Sequence, residues 1–509
     1  MSKGKLLAIC VVWLMIFGAG AVAWRSFLSP AIEQSQKRER DEIIEQTSGT
    51  SRYRHTVQLA LDEFSGYAVL RSPAFGKQLA RQAIRVELHD DGADYTSRLR
   101  NLQSGQIDMA VFTIDALIKA SAELGDLPAV MIGIIDETRG ADAIIASKRR
   151  YPNVDSLNDA QTRFVLTANS PSETLARVVM SNFDLANLNN DPFILTDSPE
   201  QTVRHYRESP PDAAEAYVVW EPFVSEILQD DEMHVVQDSG AFRGYIVDVL
   251  VVGRDYLRKN ESIVRDVLAA YFVAAHEYQN DMVDLVRKDT KKTENAITTA
   301  QAEKLVAGIS WKSIPENFAH FGVLDDSHGR QHIEDMIVNI TDVLVETNAI
   351  PQDPTEGSPE KLFNQRLLAT LRNSDLHPQF DEKHLDDLQI VLPALSDAQW
   401  NNLKQAGELR VPSLVFAPGT ARLTGFSKAT LNRLVSTLKT WPQYYLLVRG
   451  NASPAGNNPA ANQRVAKQRA QAAANYLIKQ GVHPSRIHAI GSKPTGHTTV
   501  SFVVGEPVE

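Results

Sequence analysis

Thr56-Val57-Gln58-Leu59-Ala60-Leu61 is an apolar run of strand length, and Phe64-Ser65-Gly66-Tyr67 follows it as a glycine-bearing turn. Working outward, Ala83 to Leu88 and Ile107 to Phe112 read as short buried strands. The segment from Tyr95 to Gln103 between them has helical periodicity. A repeating strand–helix order predicts a mostly parallel sheet covered by helices, an α/β domain. In such sheets ligands sit beyond the carboxyl ends of the strands. The loops at Phe64 to Tyr67, Thr113 to Asp115, Asn169 to Glu173 and Trp220 to Pro222 are therefore the candidate ligand positions.

The chain has 509 residues, too many for one ordinary core, and predicts two to four domains of about 150 residues each. Hydrophobic residues make up 43% and charged residues 23%, a globular balance that argues against a fibre or a disordered chain. With 52 basic and 63 acidic residues the net charge is -11, and no basic stripe is present, so nucleic acid is not an expected partner. The one cysteine, Cys10, lies in the N-terminal apolar run, so the remaining chain forms no disulfide and has no cysteine metal site or thiol nucleophile. The sequence has no Walker loop, nucleophile elbow or zinc-helix motif. His89-Asp90-Asp91 with Asp94 lies on a polar loop whose adjacent side chains rarely converge on a metal. Neither a metal nor another cofactor is expected, and the chain reads as non-catalytic.

Lys3 and Lys5 precede an apolar run of 18 residues, Leu6 to Ala23, close to the length that spans a bilayer core. Positive charge stays cytoplasmic, Trp24 stands at the far interface and the rest of the chain is exported. A cleavable signal peptide is the competing reading, because Ala21-Val22-Ala23 has the small-x-small form of a cleavage site. The length of the run favours a single-pass inner-membrane anchor over residues 1–25. Residues 26–52 then form a charged helical stalk.

Ser65-Gly66 and Ser170-Pro171-Ser172-Glu173 each stand where a strand gives way to a helix. Free N–H groups there, with serine hydroxyls, suit an oxyanion or a carboxylate. Equally, Ser170 and Glu173 have the spacing of a capping box. Trp220 is placed either to stack on a ligand or to pack. Asp115, Glu173 and Glu221 repel a strongly anionic ligand, which leaves a cationic or zwitterionic one open. The candidate ligand residues are Ser65, Gly66, Tyr67, Thr113, Asp115, Ser170, Ser172, Glu173, Trp220 and Glu221.

Phe64-Ser65-Gly66-Tyr67, Ser104-Gly105-Gln106-Ile107-Asp108-Met109-Ala110, and Asp212-Ala213-Ala214 leading to Trp220-Glu221-Pro222 resemble the periplasmic solute-binding proteins of the nitrate, sulfonate and taurine transport group and its thiamine-precursor relatives. The resemblance implies a solute-binding domain over residues 53–373, built as two α/β lobes that close on a small molecule. Lobe one would hold about 53–145 and 245–373 and lobe two about 146–244, with Ala143 to Ser147 and Tyr245 to Val252 crossing the hinge. It also implies an inner-membrane permease as a partner. The related fungal pyrimidine synthases carry a cysteine-rich motif that this single-cysteine chain lacks.

After a linker at 374–410, Ser413 to Leu423 reads as a strand and turn, Ser427 to Thr440 as a helix, Tyr444 to Arg449 as a strand and Asn462 to Lys479 as a second helix. Arg486 to Ile490 and Val500 to Val504 supply two more strands, giving a small α+β sandwich over 411–509. Gly450-Asn451-Ala452-Ser453, Asn462, Arg469-Ala470, Gly481-Val482 and Ser485-Arg486-Ile487 resemble the OmpA-like peptidoglycan-binding domains. In that family an aspartate and an arginine hold the diaminopimelate group of the wall peptide. Arg469 keeps the arginine position, Ser453 stands at the aspartate position, and His497-Thr498-Thr499 replaces a later asparagine and double-arginine pattern. The resemblance implies wall contact through Ser453, Asn462 and Arg469 and a bacterial envelope location, with the bulk of the chain in the periplasm. A structural envelope tether or interaction protein with a vestigial ligand cleft is the alternative.

Overall fold

In the computed structural model, residues 53–291, 297–324, 331–372, 392–417, 420–451, 459–491 and 499–507 are described. The first strands are β1 (His55–Leu61), β2 (Ile84–Asp90), β3 (Met109–Thr113) and β4 (Ala129–Thr138). They are followed by β5 (Asp142–Ser147), β6 (Arg163–Thr167), β7 (Phe193–Thr196), β8 (Glu215–Trp220) and β9 (Met233–Asp238). The chain continues through β10 (Val247–Gly253) and β11 (Ile309–Trp311). Lobe one is the six-stranded sheet β11-β4-β10-β3-β1-β2, and lobe two is the five-stranded sheet β7-β6-β8-β5-β9.

Strands β3, β4 and β10 are buried along their whole length, so they read as continuous apolar runs rather than as alternating patterns. The helix Arg254–Tyr278 lays Val264, Val267, Leu268 and Tyr271 into the core at helical spacing.

The chain passes from lobe one to lobe two between β4 and β5 and returns between β9 and β10. Ala143 to Ser147 and Tyr245 to Val252, expected to bridge the lobes, lie mostly within β5 and β10, and the crossings come just before each. Extended backbone buried on both faces needs ladder partners, and a sheet supplies them. On its return β10 inserts antiparallel between β3 and β4. Lobe one is therefore complete only after the chain has come back from lobe two. Gly244, on the returning segment, has φ 74°, and a Cβ there would lie 2.1 Å from Gln331 Oε1.

The C-terminal sheet has the order β12-β15-β13-β14, from β12 (Lys404–Glu408), β13 (Tyr445–Gly450), β14 (Ile487–Gly491) and β15 (Val500–Glu506). The helix Pro459–Lys479 lies on β13 and β14 through buried Ala466, Ala470, Ala473 and Ala474. A Cβ on Gly450 would lie 2.0 Å from Ala466 O, so only glycine permits this close approach. Two sequence expectations differ here. Among the described residues, Ser413 to Leu423 holds only a bridge between Phe416 and Leu423, whereas Lys404–Glu408, assigned to the linker, is the edge strand β12. Its sequence, Lys-Gln-Ala-Gly-Glu, carries no apolar alternation to signal a strand.

The C-terminal sheet is seated on lobe two. Trp441 is fully buried, with ring centroids 5.1 Å from Phe183 and 4.8 Å from Phe242. Backbone hydrogen bonds run from Arg243 N to Thr440 O (2.7 Å), Asp184 N to Glu408 O (2.9 Å) and Arg410 N to Asn182 O (2.8 Å). Arg486 donates to the carbonyls of Leu438 (2.8 Å), Trp441 and Tyr444 (2.6 Å), pinning the turn that presents Trp441.

Leu6 to Ala23 and the stalk lie outside the described residues. No described helix is long and apolar enough to cross a membrane.

Candidate functional site

The facing ends of the two lobes are closed by side chains from both. Thr174 Oγ1 donates to Asp115 Oδ2 at 2.6 Å, and Lys119 Nζ lies 3.1 Å from Asn169 Oδ1 and 3.3 Å from Glu173 Oε2. Lys304 Nζ donates to Ser225 Oγ at 2.8 Å. A void of about 10 Å³ lined by Thr138, Leu175, Ser239 and Phe242 remains between the lobes, enough for one water.

Carboxyl groups concentrate at this junction. Asp136 on β4 and Asp248 on β10 are Cα partners across the ladder, so both side chains leave the same face. A register shift lies immediately beside them, between Asp248 and Val249, the kind of bulge that re-aims side chains. Thr113, at the end of β3, is the other partner of Asp248, and the Tyr67 hydroxyl donates to Asp248 Oδ1. Asp142 opens β5 opposite Trp220. All three aspartates are essentially without solvent exposure.

Burial pushes the Asp142 carboxyl up to about 8, helped by the charges of Asp248 and Asp115. Burial and the neighbouring Asp248 push Asp136 well above the carboxylate range, and burial likewise raises Asp248. The titration of these two carboxyl groups belongs to the pair rather than to either residue. Burial also raises Asp115, partly offset by the Thr174 hydrogen bond and Lys119. The Tyr67 hydroxyl is raised by burial and by Asp248.

Glu137 and Glu173 behave oppositely. Burial alone would raise Glu137, but Lys312 at 2.7 Å, Arg139 at 3.0 Å and the Gly244 N–H outweigh it and lower it. Glu173 is lowered against burial by Lys119, Arg177 at 2.8 Å and the Asn169 N–H.

Several buried polar atoms at these strand ends have no hydrogen-bond partner. They are Asp136 Oδ1 and Oδ2, Asp142 Oδ1, Asp115 Oδ1, Thr167 Oγ1 and Ser172 Oγ. Such atoms are costly when left unmatched, and a group of them at one place is the mark of a missing partner.

The expected residues fall as follows. Ser65, Gly66 and Tyr67 form a short, buried 3-10 turn, and Gly66 O accepts from Trp311 Nε1 at 2.8 Å. A Cβ on Gly66 would meet Asp136 Oδ2 at 2.4 Å, so this turn faces a carboxyl group. Thr113 caps the helix Ile114–Leu124, and Asp115 is buried in its first turn. The Ser170–Glu173 capping box does not form: Ser170 Oγ donates to Thr167 O at 2.6 Å, and Glu173 takes the Asn169 N–H. Glu221 accepts from Ser225 N and Oγ, capping the helix that follows it. Asp136, Asp142 and Asp248 were not among the expected residues. Their signal was a lone acid inside Ala141-Asp142-Ala143 and inside Val247-Asp248-Val249, and the Asp136-Glu137 pair that closes Ile134-Ile135.

On the C-terminal domain, Asn462 and Arg469 lie two turns apart on one face of the helix Pro459–Lys479. Arg469 sits 4.9 Å over the Phe416 ring and donates from Nε to Thr420 O at 3.1 Å. No carboxylate pairs with it among the described residues. Residues 415–497 match the model of the OmpA family. Within this OmpA domain Ser453, His497 and Thr498 lie outside the described residues, so the structure brings together only Asn462, Arg469 and their helix.

No curated protein matches the chain. Among solved structures, the periplasmic aliphatic sulphonate binding protein SsuA from Escherichia coli is 15% identical, with 62% of this chain and 99% of that chain covered and a TM-score of 0.46. The putative sulfonate-binding SsuA from Methylobacillus flagellatus is 12% identical, with coverages of 64% and 96% and a TM-score of 0.47. The periplasmic nitrate-binding protein NrtA from Synechocystis is 13% identical, with coverages of 64% and 91% and a TM-score of 0.44. Likeness at this level carries no ligand over to this chain.

Proposed function

We propose that the protein is a non-catalytic solute clamp of the bacterial envelope, held by its N-terminal apolar segment and positioned against the wall by its OmpA domain. The observation that carries this reading is the junction itself. Two α/β lobes, joined by two chain crossings, meet across the Asp115–Thr174 and Lys119–Glu173 contacts around buried polar atoms that lack partners. A ligand entering between opened lobes supplies those partners, and closure then buries it. The candidate contacts are Ser65, Gly66, Tyr67, Thr113, Asp115, Ser170, Ser172, Glu173, Trp220 and Glu221. Delivery of the solute to an inner-membrane permease is the role that fits such a clamp.

The wall contact rests on Arg469, whose planar guanidinium suits the carboxylate of a diaminopimelate residue. Asn462 on the same face and Ser453 complete the proposed contact.

A thermal-shift screen of the full chain against a library of small metabolites tests the clamp. Stabilisation by at least one solute is expected, and none across the library would leave a structural tether as the reading. Retention on diaminopimelate-type peptidoglycan, lost in Arg469→Ala, tests the wall module.

A further inference from the structure

Resting on the solute-clamp reading, the cleft also defines a class of solute. We propose that it selects an organic cation, an ammonium or amidinium group held by Asp136, Asp142 and Asp248 with Asp115 and Tyr67 at its border.

The distribution of charge is the first argument. Most cations around the junction are already matched to acids, Arg98 to Asp62 at 3.2 Å and to Asp91, Lys312 to Glu137, and Lys119 and Arg177 to Glu173, while Lys304 bonds the Ser225 hydroxyl and Arg243 has no ion pair among the described residues. Among the described residues, Asp115, Asp136, Asp142 and Asp248 have no ion-pair partner. An anion brought here meets uncompensated acids. A cation supplies the charge the junction lacks.

Hydrogen-bonding capacity points the same way. Of the buried atoms without partners, Asp115 Oδ1, Asp136 Oδ1 and Oδ2, and Asp142 Oδ1 are carboxyl oxygens, while Thr167 Oγ1 and Ser172 Oγ are hydroxyls that serve in either sense. In their ionised form these carboxyl groups accept only, so a cationic donor that ionises them matches the unpaired oxygens. An ammonium group offers three N–H bonds and no acceptor, whereas sulfonate or nitrate offers acceptors only.

The cation is organic rather than metallic. Two tryptophans stand at the ladder positions opposite two of the acids, Trp311 beside Asp136 and Trp220 beside Asp142. Indoles at such positions favour an alkylated or delocalised cation over a hydrated ion. Burial favours the protonated form of Asp136 and Asp142, so a bound cation that ionises them displaces protons.

The test uses the full chain with methylammonium, putrescine, agmatine and choline as cationic probes and methanesulfonate, nitrate and sulfate as anionic ones, read by thermal shift and titration calorimetry. At least one cation is expected to raise the melting temperature and to release protons, seen as a binding heat that changes with the ionisation enthalpy of the buffer. Asp136→Asn and Asp142→Asn are each expected to weaken that cation about 30-fold or more while leaving the ligand-free melting temperature undiminished. Proton release is measured on the unaltered chain and so does not depend on either variant folding. Stabilisation by anions or neutral solutes alone, or unchanged affinity in both variants, overturns the cation assignment and leaves the solute clamp standing. No stabilisation by any probe or library solute overturns both.

Discussion

Trp441 of the OmpA domain meets Phe242 edge to face, with ring centroids 4.8 Å apart and ring planes at 79°. Phe242 lies on the segment that returns the chain from lobe two to lobe one, so the OmpA domain is packed on a connection between the lobes. The next residue, Arg243, donates its backbone N–H to Thr440 O. The OmpA domain thus touches the segment that joins the two lobes.

Replacing Trp441 by alanine removes a fully buried indole from between Phe183, Phe242 and Tyr444. The expected loss is about 3–5 kcal/mol, concentrated in the docking of the OmpA domain. Denaturant unfolding should then show an early transition, and limited proteolysis should free the domain. An unaltered single transition would contradict the docking described here.

The ligand-free protein should lose stability as pH rises. In the unfolded chain Asp142 titrates near 3.9, and in the fold at about 8. Between those values the folded state keeps a proton that the unfolded state has released. The contribution is whole below about pH 4 and declines toward pH 8 at up to about 1.4 kcal/mol per pH unit. Asp248 and Asp115 face Asp142, while Tyr67, Asp62 and Asp136 face Asp248. Raised Asp136, Asp248 and Asp115 act in the same direction. Glu137 and Glu173, both lowered, act in the opposite direction only toward acid pH. Thermal unfolding from pH 5 to 8 measures the slope, which Asp142→Asn should flatten.

Gly66→Ala should be disproportionately costly. The added methyl group would stand 2.4 Å from both Asp136 Oδ2 and a Phe64 ring carbon, and both neighbours are packed. A loss of about 1–3 kcal/mol is expected in chemical denaturation, together with weaker solute binding. A neutral effect on both would show that the turn is not pressed against Asp136.

Thr174→Val tests the latch between the lobes. It keeps the shape of the side chain but removes the hydrogen bond to Asp115, leaving a buried carboxyl oxygen unmatched. The cost is about 1–3 kcal/mol and falls on the closed state. Small-angle scattering should show a larger radius for the ligand-free variant than for the unaltered chain.

The strand–helix order and the OmpA domain were legible because each rests on local pattern or on spaced motif residues. The acids of the cleft were not. Asp136 and Asp248 are distant in sequence and meet only because β10 inserts between β3 and β4. Asp248 is the one polar residue of β10, Asp136 stands with Glu137 and Thr138 at the end of β4, and neither gives a local signal of its partner. Ser170 and Glu173 had the right spacing for a capping box, yet Lys119 and Arg177 claim the Glu173 carboxylate. Strand β12 escaped notice because it is an edge whose register comes from β15 and whose Gly407 makes room for the Phe183 ring.

The most direct measurement is native mass spectrometry of the full chain, first as isolated and then after dialysis with small solutes added back. The account predicts a one-to-one complex with a small organic solute that is lost on unfolding and regained on its return. A bare protein mass under every condition would contradict it.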